Sequence, residues 1–234
     1  MIKTPSEARR RGRPKDLERE LAAKQNLLDA ANEMLKETSY KDISIRELAR
    51  LANVNSAMIS YHFGSKEGLF VDLIKTSINP ESLFAAPSTA STHSASAGAP
   101  LAEDIIKALM SRFLEVHKKH PWLSRLIVDQ VVLKEGKLRK LFVEKLVRPS
   151  GEQLLKLLGG LKEGGQLRHN LDTEAARVSL LSLMAFPFVG APILKQAFGF
   201  DVREQDTAQW VQHCASLFLH GSAETGKIKK DDCE

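Results

Sequence analysis

Apolar residues recur every three or four positions along most of the chain, which is the spacing of one face of an α-helix. No run alternates apolar and polar residues as a half-buried strand does. The spacing stops within residues 79–100, a Ser-, Ala-, Thr- and Pro-rich stretch typical of a flexible linker. The pattern predicts an all-α protein with two helical domains. The predicted parts are an arm (1–20), a first domain (21–78), the linker (79–100), a second domain (101–221) and a polar tail (222–234).

The first domain is predicted to contain four helices. Ser44 and Glu47 have the spacing of a capping box, in which each side chain bonds the other residue's backbone N–H, and they mark the start of the second helix. The third helix ends near Phe63, and Ser65 caps the fourth. The buried face of the first helix is predicted from six apolar residues: Leu21, Leu27, Leu28, Ala31, Met34 and Leu35.

The second domain is predicted to contain five helices, and Asp172 is the predicted N-terminal cap of the fourth. Residues 178–194 are 17 residues without a charge, near the lower limit for a membrane span. Because this run contains Pro187 and Pro192, we interpret it as a buried helix kinked or broken at proline, with no membrane partner. The predicted helices are 101–119, 122–134, 137–163, 173–196 and 205–221.

The second and third helices of the first domain are short and lie three to four residues apart. This is the geometry of a helix-turn-helix, whose second helix lies in the major groove of DNA. The residues predicted to pack inward are Val54, Ala57, Ile59 and Phe63. The residues predicted to face outward or toward the helix ends are Ser56, Met58, Ser60, Tyr61 and His62. From spacing alone, an ordinary small helical bundle is the alternative.

Residues 30–74 resemble the DNA-binding domain of the TetR (tetracycline-repressor) family. The matching residues stand at fixed spacing without a gap: Ile45-x-x-Leu48-Ala49, Ala52-x-Val54-Asn55 and Ala57-x-Ile59-x-Tyr61-His62-Phe63-Gly64-Ser65-Lys66-x-x-Leu69. The resemblance implies that Asn55 begins the recognition helix and that Tyr61 and His62 contact DNA. It also implies that Lys66, at a helix start, holds a phosphate.

The chain departs from the commoner family pattern at two positions. Asn53 stands where glycine is frequent in the turn, and asparagine enters the left-handed region more readily than other non-glycine residues. Ser60 stands where many members have tyrosine, so one phosphate contact is expected to be absent.

The N-terminus concentrates the charge of the chain. Residues 1–15 hold six basic residues and one acid, which gives the arm the same net charge, +5, as the whole protein. Within it, Arg11, Gly12 and Arg13, followed by Pro14, resemble the core of an AT-hook, which lies extended in a narrow A·T minor groove. A solvated basic tail that raises non-specific affinity is the alternative.

Enzymatic and metal chemistry find little support in the sequence. His213 and Cys214 are adjacent and point about 100° apart on a helix, which is poor for a nucleophile and its base. His117 and His120 lack a third ligand at a familiar spacing, and no phosphate loop is present. We therefore expect no enzyme and no cofactor, and a reducing, cytoplasmic location fits the two cysteines.

A single helix-turn-helix contacts few bases, so such modules read palindromic operators in double-stranded DNA as dimers. A homodimer that represses transcription until a small apolar or aromatic effector binds is therefore expected, and a helical protein-interaction module without DNA binding is the alternative. The candidate interface residues are Leu180, Leu181, Trp210, Cys214, Leu217, Phe218 and Gly221, for which burial within one chain is equally compatible. The candidate effector residues are Phe113, His117, Trp122, Leu126, Phe142, Met184, Phe186 and Phe188.

Overall fold

The computed structural model describes residues 14–85 and 101–222, and over these ranges it contains helices and no strand. The all-α prediction is thereby confirmed. The chain divides into two compact units, Met1–Leu73 and Ile74–Glu234.

Over its described residues, 14–73, the first unit contains four helices, the last of which continues past Leu73. They are α1 (Pro14–Glu37), α2 (Ile45–Leu51), α3 (Ala57–Phe63) and α4 (Lys66–Ile78). Leu27, Leu48 and Ile59, one from each of the first three helices, are fully buried in its core. Two expectations need correction. Residues 14–20, which we expected in the arm, form the first turns of α1, and Leu21 is 61% exposed rather than part of the buried face.

The second unit contains most of the helices. They are α5 (Pro80–Leu83), α6 (Ala102–Lys119), α7 (Trp122–Ile127), α8 (Lys137–Phe142), α9 (Arg148–Glu163), α10 (Thr173–Val189), α11 (Ala191–Phe198) and α12 (Thr207–Ser222). Two π-helical turns, Val128–Val132 and Val143–Val147, extend α7 and join α8 to α9. The linker prediction began too early, because residues 80–83 are helical.

The core of the second unit lies among α6, α9, α10 and α12. Ile106, Leu158, Leu180 and Ala215, one from each helix, are fully buried there. Asp172 caps α10 as predicted, since its carboxylate accepts hydrogen bonds from two backbone N–H groups of the first turn.

The charge-free run does not form one continuous helix. The predicted helix 173–196 breaks at Gly190, and α10 and α11 meet there at an angle of 69°. Within the described residues no single helix is long and apolar enough to cross a membrane, although this bent pair meets the length and composition requirement jointly.

Candidate DNA-binding surface and effector cavity

The turn between α2 and α3 is shaped by local polar contacts. The Ser44 hydroxyl accepts from the Glu47 N–H at 3.1 Å, and the Glu47 carboxylate accepts from the Ser44 N–H at 3.2 Å, which completes the predicted capping box. The Ser44 hydrogen bonds lower the pKa of Glu47. After α2, Asn53 has φ of 53°, so this asparagine occupies the left-handed conformation expected at its position.

Two residues define the ends of the recognition-helix candidate, α3. The side-chain oxygen of Asn55 accepts from the Ala57 N–H at 2.8 Å and so begins the helix. Gly64, with φ of 74°, ends it. Ile59 and Phe63 pack inward as predicted, whereas Ala57 is exposed, because it lies in the first turn on the outer side of the helix.

The outer side of α3 presents a short polar surface. Ser56, Ser60 and Tyr61 are exposed, and Met58 and His62 are half-buried. The Tyr61 hydroxyl lies 3.4 Å from a carboxylate oxygen of Glu20 on α1, a neighbour that α1's helical spacing did not indicate. The His62 ring packs edge-on against Tyr61 and its Nε2 atom is buried, so only part of this imidazole faces outward.

Lys66 does not point away from the protein. Its ammonium donates to the backbone carbonyls of Tyr40, at 2.7 Å, and of Ile43, and it lies 4.4 Å from the centre of the Tyr40 ring. Burial lowers its pKa. The expectation that Lys66 holds a phosphate is therefore corrected, since two of its three N–H donors tie α4 to the loop between α1 and α2.

The start of α4 requires a glycine. A Cβ atom at Gly68 would lie 2.0 Å from the carbonyl oxygen of Phe63, the last residue of α3. The Gly68 N–H donates to the Ser65 hydroxyl at 3.2 Å, which is the predicted cap. The two helices thus meet at van der Waals distance through backbone atoms. The AT-hook candidates Arg11, Gly12 and Arg13 lie outside the described residues.

The second unit contains a cavity of about 660 Å³. Its walls come mainly from α6, α10, the π-helical turn before α9 and the start of α9, with further residues from the end of α4 through α5, from α7 and from α8. Four predicted effector residues line it: Phe113, His117, Phe142 and Met184. The other four do not, because Trp122 and Leu126 are buried elsewhere in the core, Phe186 is 59% exposed, and Phe188 packs behind His117.

The charged residues of the cavity were not predicted. Arg148 and Glu152 are exposed lining residues, and Arg177 is partly exposed, so this side is where the cavity opens. Arg177 is tied to the carboxylate of Glu174 and to the carbonyl of Gly151. Sequence spacing gave no signal for these residues, because charged residues on a helix usually indicate a solvated face.

His117 is the buried polar residue of the cavity wall. Its Nδ1 atom lies 3.0 Å from the carbonyl oxygen of Phe113, and the ring is 5% exposed. Burial lowers its pKa to about 4 and outweighs the Phe113 carbonyl, which acts in the opposite direction. The imidazole is therefore neutral at physiological pH.

The predicted interface residues are largely internal. Leu180, Cys214 and Phe218 are buried in the core of their own unit, and Trp210 packs partly buried against it. Burial also raises the pKa of the Cys214 thiol, as expected for a core cysteine. Leu181 is 39% exposed but lines the cavity, Leu217 is 55% exposed, and Gly221 lies in the last turn of α12.

Comparisons with known proteins agree with this architecture. Residues 27–73 match the model of bacterial regulatory proteins, tetR family. The chain is 24% identical over 173 residues to the probable HTH-type transcriptional regulator YttP of Bacillus subtilis (strain 168), covering 72% of this chain and 78% of the relative. Residues 27–73 thus match the DNA-binding part of tetR-type regulatory proteins, and the chain is similar to a transcriptional regulator along most of its length.

Solved structures share the fold at low sequence identity. The transcriptional regulator FadR from Bacillus subtilis, in complex with stearoyl-CoA, has a TM-score of 0.65 at 16% identity, over 84% of this chain and 98% of that one. A TetR-family transcriptional regulator from Rhodococcus sp., described as putative, has a TM-score of 0.63 at 12% identity, over 84% and 96%.

Proposed function

We propose that this regulator is a cytoplasmic repressor that binds a palindromic operator as a homodimer and leaves it when an apolar effector fills the cavity of the second unit. The observation that carries the proposal is the 660 Å³ cavity with largely apolar walls, in a chain whose first unit is a helix-turn-helix. Cavities of this size suit drug-sized ligands.

DNA contact is assigned to the exposed side of α3. Asn55, Ser56, Ser60 and Tyr61 supply uncharged hydrogen-bonding groups there, with part of Met58 and His62 beside them. Such groups donate to phosphates and to base edges without repelling the DNA. No Asp or Glu stands between Asn55 and Lys66, which supports DNA binding over the interaction-module alternative.

The basic arm adds affinity through phosphates. Deleting residues 1–15 is expected to flatten the slope of log affinity against log salt by about 2 to 3, for about three lost contacts. Arg13→Ala distinguishes an arm that inserts in the minor groove from an arm that only contacts phosphates. Loss of an inserted arginine should weaken binding chiefly to operators flanked by A·T tracts, whereas loss of a phosphate contact should weaken binding to every sequence equally. Equal slopes for intact and truncated protein would reject any role for the arm.

The dimer surface is proposed on α10 to α12. Phe186 and Leu217 are more than half exposed there, and Ile193 and Phe198 of α11 are 71% and 77% exposed. Leu217→Arg should give monomers in sedimentation, because it places an unpaired charge in the interface. Leu133→Arg, at a residue 72% exposed that follows the π-helical turn after α7, is the matched control and should stay dimeric. If Leu217→Arg and Leu133→Arg both remain dimeric, the dimer interface does not include Leu217.

The effector is proposed to be a long or bulky apolar molecule. Stearoyl-CoA binds the similarly folded FadR from Bacillus subtilis, which supports a cavity of this fold accepting an acyl chain. Release needs only that the ligand prefer the dimer conformation that cannot span both half-sites.

The experiment measures both operator binding and release by the effector. DNA selected from a random pool by the full chain should contain a palindrome, and an extract of apolar metabolites should release the protein from it. Ala185→Trp, which places an indole in the cavity wall, should still bind the palindrome but resist release. Selected DNA without symmetry, or release of the filled variant, would contradict the proposal.

A further inference from the structure

The His117 ring contacts two aromatic rings and one backbone carbonyl of its own chain. Its ring stacks on Phe113, with ring centres 4.2 Å apart, and on Phe188, with centres 4.4 Å apart. Its Nδ1 edge meets the Phe113 carbonyl oxygen at 3.0 Å. A carbonyl oxygen can only accept, so Nδ1 carries the proton. Among the described residues, Nε2 of His117 is not one of the fully enclosed unpaired side-chain atoms, so it keeps contact with the open space of the cavity that His117 lines.

The Nε2 atom is an acceptor without a partner. With Nδ1 protonated and the ring neutral, Nε2 exposes only a lone pair. The described residues provide it with no hydrogen bond. Its surroundings in the cavity wall are largely apolar, with Leu109 and Met184 among the buried lining residues. An apolar ligand that fills the cavity would cut this atom off from water and leave it without a partner, which is costly, so the atom favours a ligand that satisfies it.

We propose that the effector carries an uncharged hydrogen-bond donor, a hydroxyl or an N–H, which bonds Nε2 of His117 while the rest of the molecule contacts the apolar walls. This rests on the proposed function, in which the cavity is the effector site. His117 then determines specificity, because a ligand without a donor leaves the lone pair buried and unpaired. A carboxylate would place its oxygens against that lone pair, so an anionic group cannot occupy this end of the cavity.

The test compares probes that differ in one group. Decan-1-ol, 1-methoxynonane and decanoate have similar apolar chains but present a hydroxyl donor, an ether and an anion. Calorimetric titration of the full chain at pH 7.5 (about one unit above the pKa of free histidine) should give about tenfold tighter binding of the alcohol than of the ether, the usual effect of one hydrogen bond. Decanoate can place its carboxylate beside Arg148 at the cavity opening instead, so its affinity should not change when His117 is replaced.

Two variants locate the effect. His117→Phe keeps an aromatic ring in contact with Phe113 and Phe188 but removes the acceptor, so the alcohol should lose its advantage over the ether. Phe142→Leu changes the wall without removing a polar atom, so the alcohol and the ether should weaken together and the ratio should persist.

The outcomes separate this inference from the proposed function. Equal binding of alcohol and ether to the wild-type chain would overturn the role of His117 and leave the cavity as an apolar effector site. No binding of any probe would overturn the proposed cavity function and the inference with it. The wild-type comparison decides these cases even if His117→Phe fails to fold.

Discussion

The two units of the chain differ in how closely their helices are held together. In the first unit, short helices meet through specific polar contacts: the capping box of Ser44, the two carbonyl bonds of Lys66 and the close approach at Gly68. In the second unit, longer helices enclose a cavity of about 660 Å³, and two of them run through π-helical turns. A surface that must match DNA requires fixed geometry, whereas a site for an apolar ligand requires space.

The largest expected effect tests the rigidity of the first unit. Gly68→Ala should destabilise the protein by about 3 kcal/mol or more, because a Cβ atom there collides with the Phe63 carbonyl and forces α3 and α4 apart. The matched change in the second unit is Gly159→Ala in α9, where a Cβ atom meets nothing within 4 Å. That variant should be stabilised by about 0.5–1 kcal/mol through helix propensity. Urea unfolding followed by circular dichroism measures both, and similar midpoints for the two variants would refute the contrast.

A pH effect is expected in the second unit. The His117 pKa is about 4 in the folded protein and about 6.5 in the unfolded chain. The unfolded state therefore binds a proton first, and stability is lost as pH falls from about 6.5 to 4, by up to about 3 kcal/mol. Both tryptophans, Trp122 and Trp210, belong to this unit, so their fluorescence reports its unfolding. If a His117→Phe variant loses as much stability over this pH range, His117 is not the cause of the loss.

Replacing Lys66 tests whether this residue has a structural role or a DNA-binding role. Lys66→Met should lower the stability by about 1–3 kcal/mol, because the carbonyls of Tyr40 and Ile43 lose their donor. The salt dependence of operator binding should stay the same, since the ammonium is directed into the protein. A salt slope shallower by about 1, with stability unchanged, would instead restore Lys66 as a phosphate contact.

The smallest change in stability is expected on replacing Tyr61. Tyr61→Ala should weaken operator binding by about 1–3 kcal/mol while leaving the unfolding midpoint unchanged, because its side chain is 66% exposed. Tyr61→Phe isolates the hydroxyl and should give an intermediate loss. If a folded Tyr61→Ala protein binds the operator with full affinity in a gel-shift titration, Tyr61 does not contact DNA.

Local sequence signals predicted the first unit well. The capping box, the cap at Ser65 and the left-handed Asn53 each depend on residues a few positions apart, so the pattern contains the whole interaction. Lys66 was assigned wrongly because its partners, Tyr40 and Ile43, lie more than twenty residues away. A flexible side chain at a helix start can reach a phosphate or fold inward, and local spacing does not decide between them.

The second unit exposes the limit of helical periodicity. Periodicity identifies the face of a helix that packs inward, but not whether that face meets core or empty space. Phe113 and Met184 line the cavity, whereas Trp122 and Leu126, equally apolar by pattern, are buried without lining it. The same ambiguity affected Leu180, because an apolar stripe looks identical whether it packs against its own chain or a second copy.

The contact between Tyr61 and Glu20 has a consequence for conformational entropy. The tyrosine is exposed, yet its hydroxyl meets a carboxylate of α1 at 3.4 Å in the free protein. That contact restricts the rotamers of Tyr61 before any DNA arrives. Part of the ordering that a free side chain would undergo on the operator is therefore completed during folding, and less freedom is lost when the complex forms.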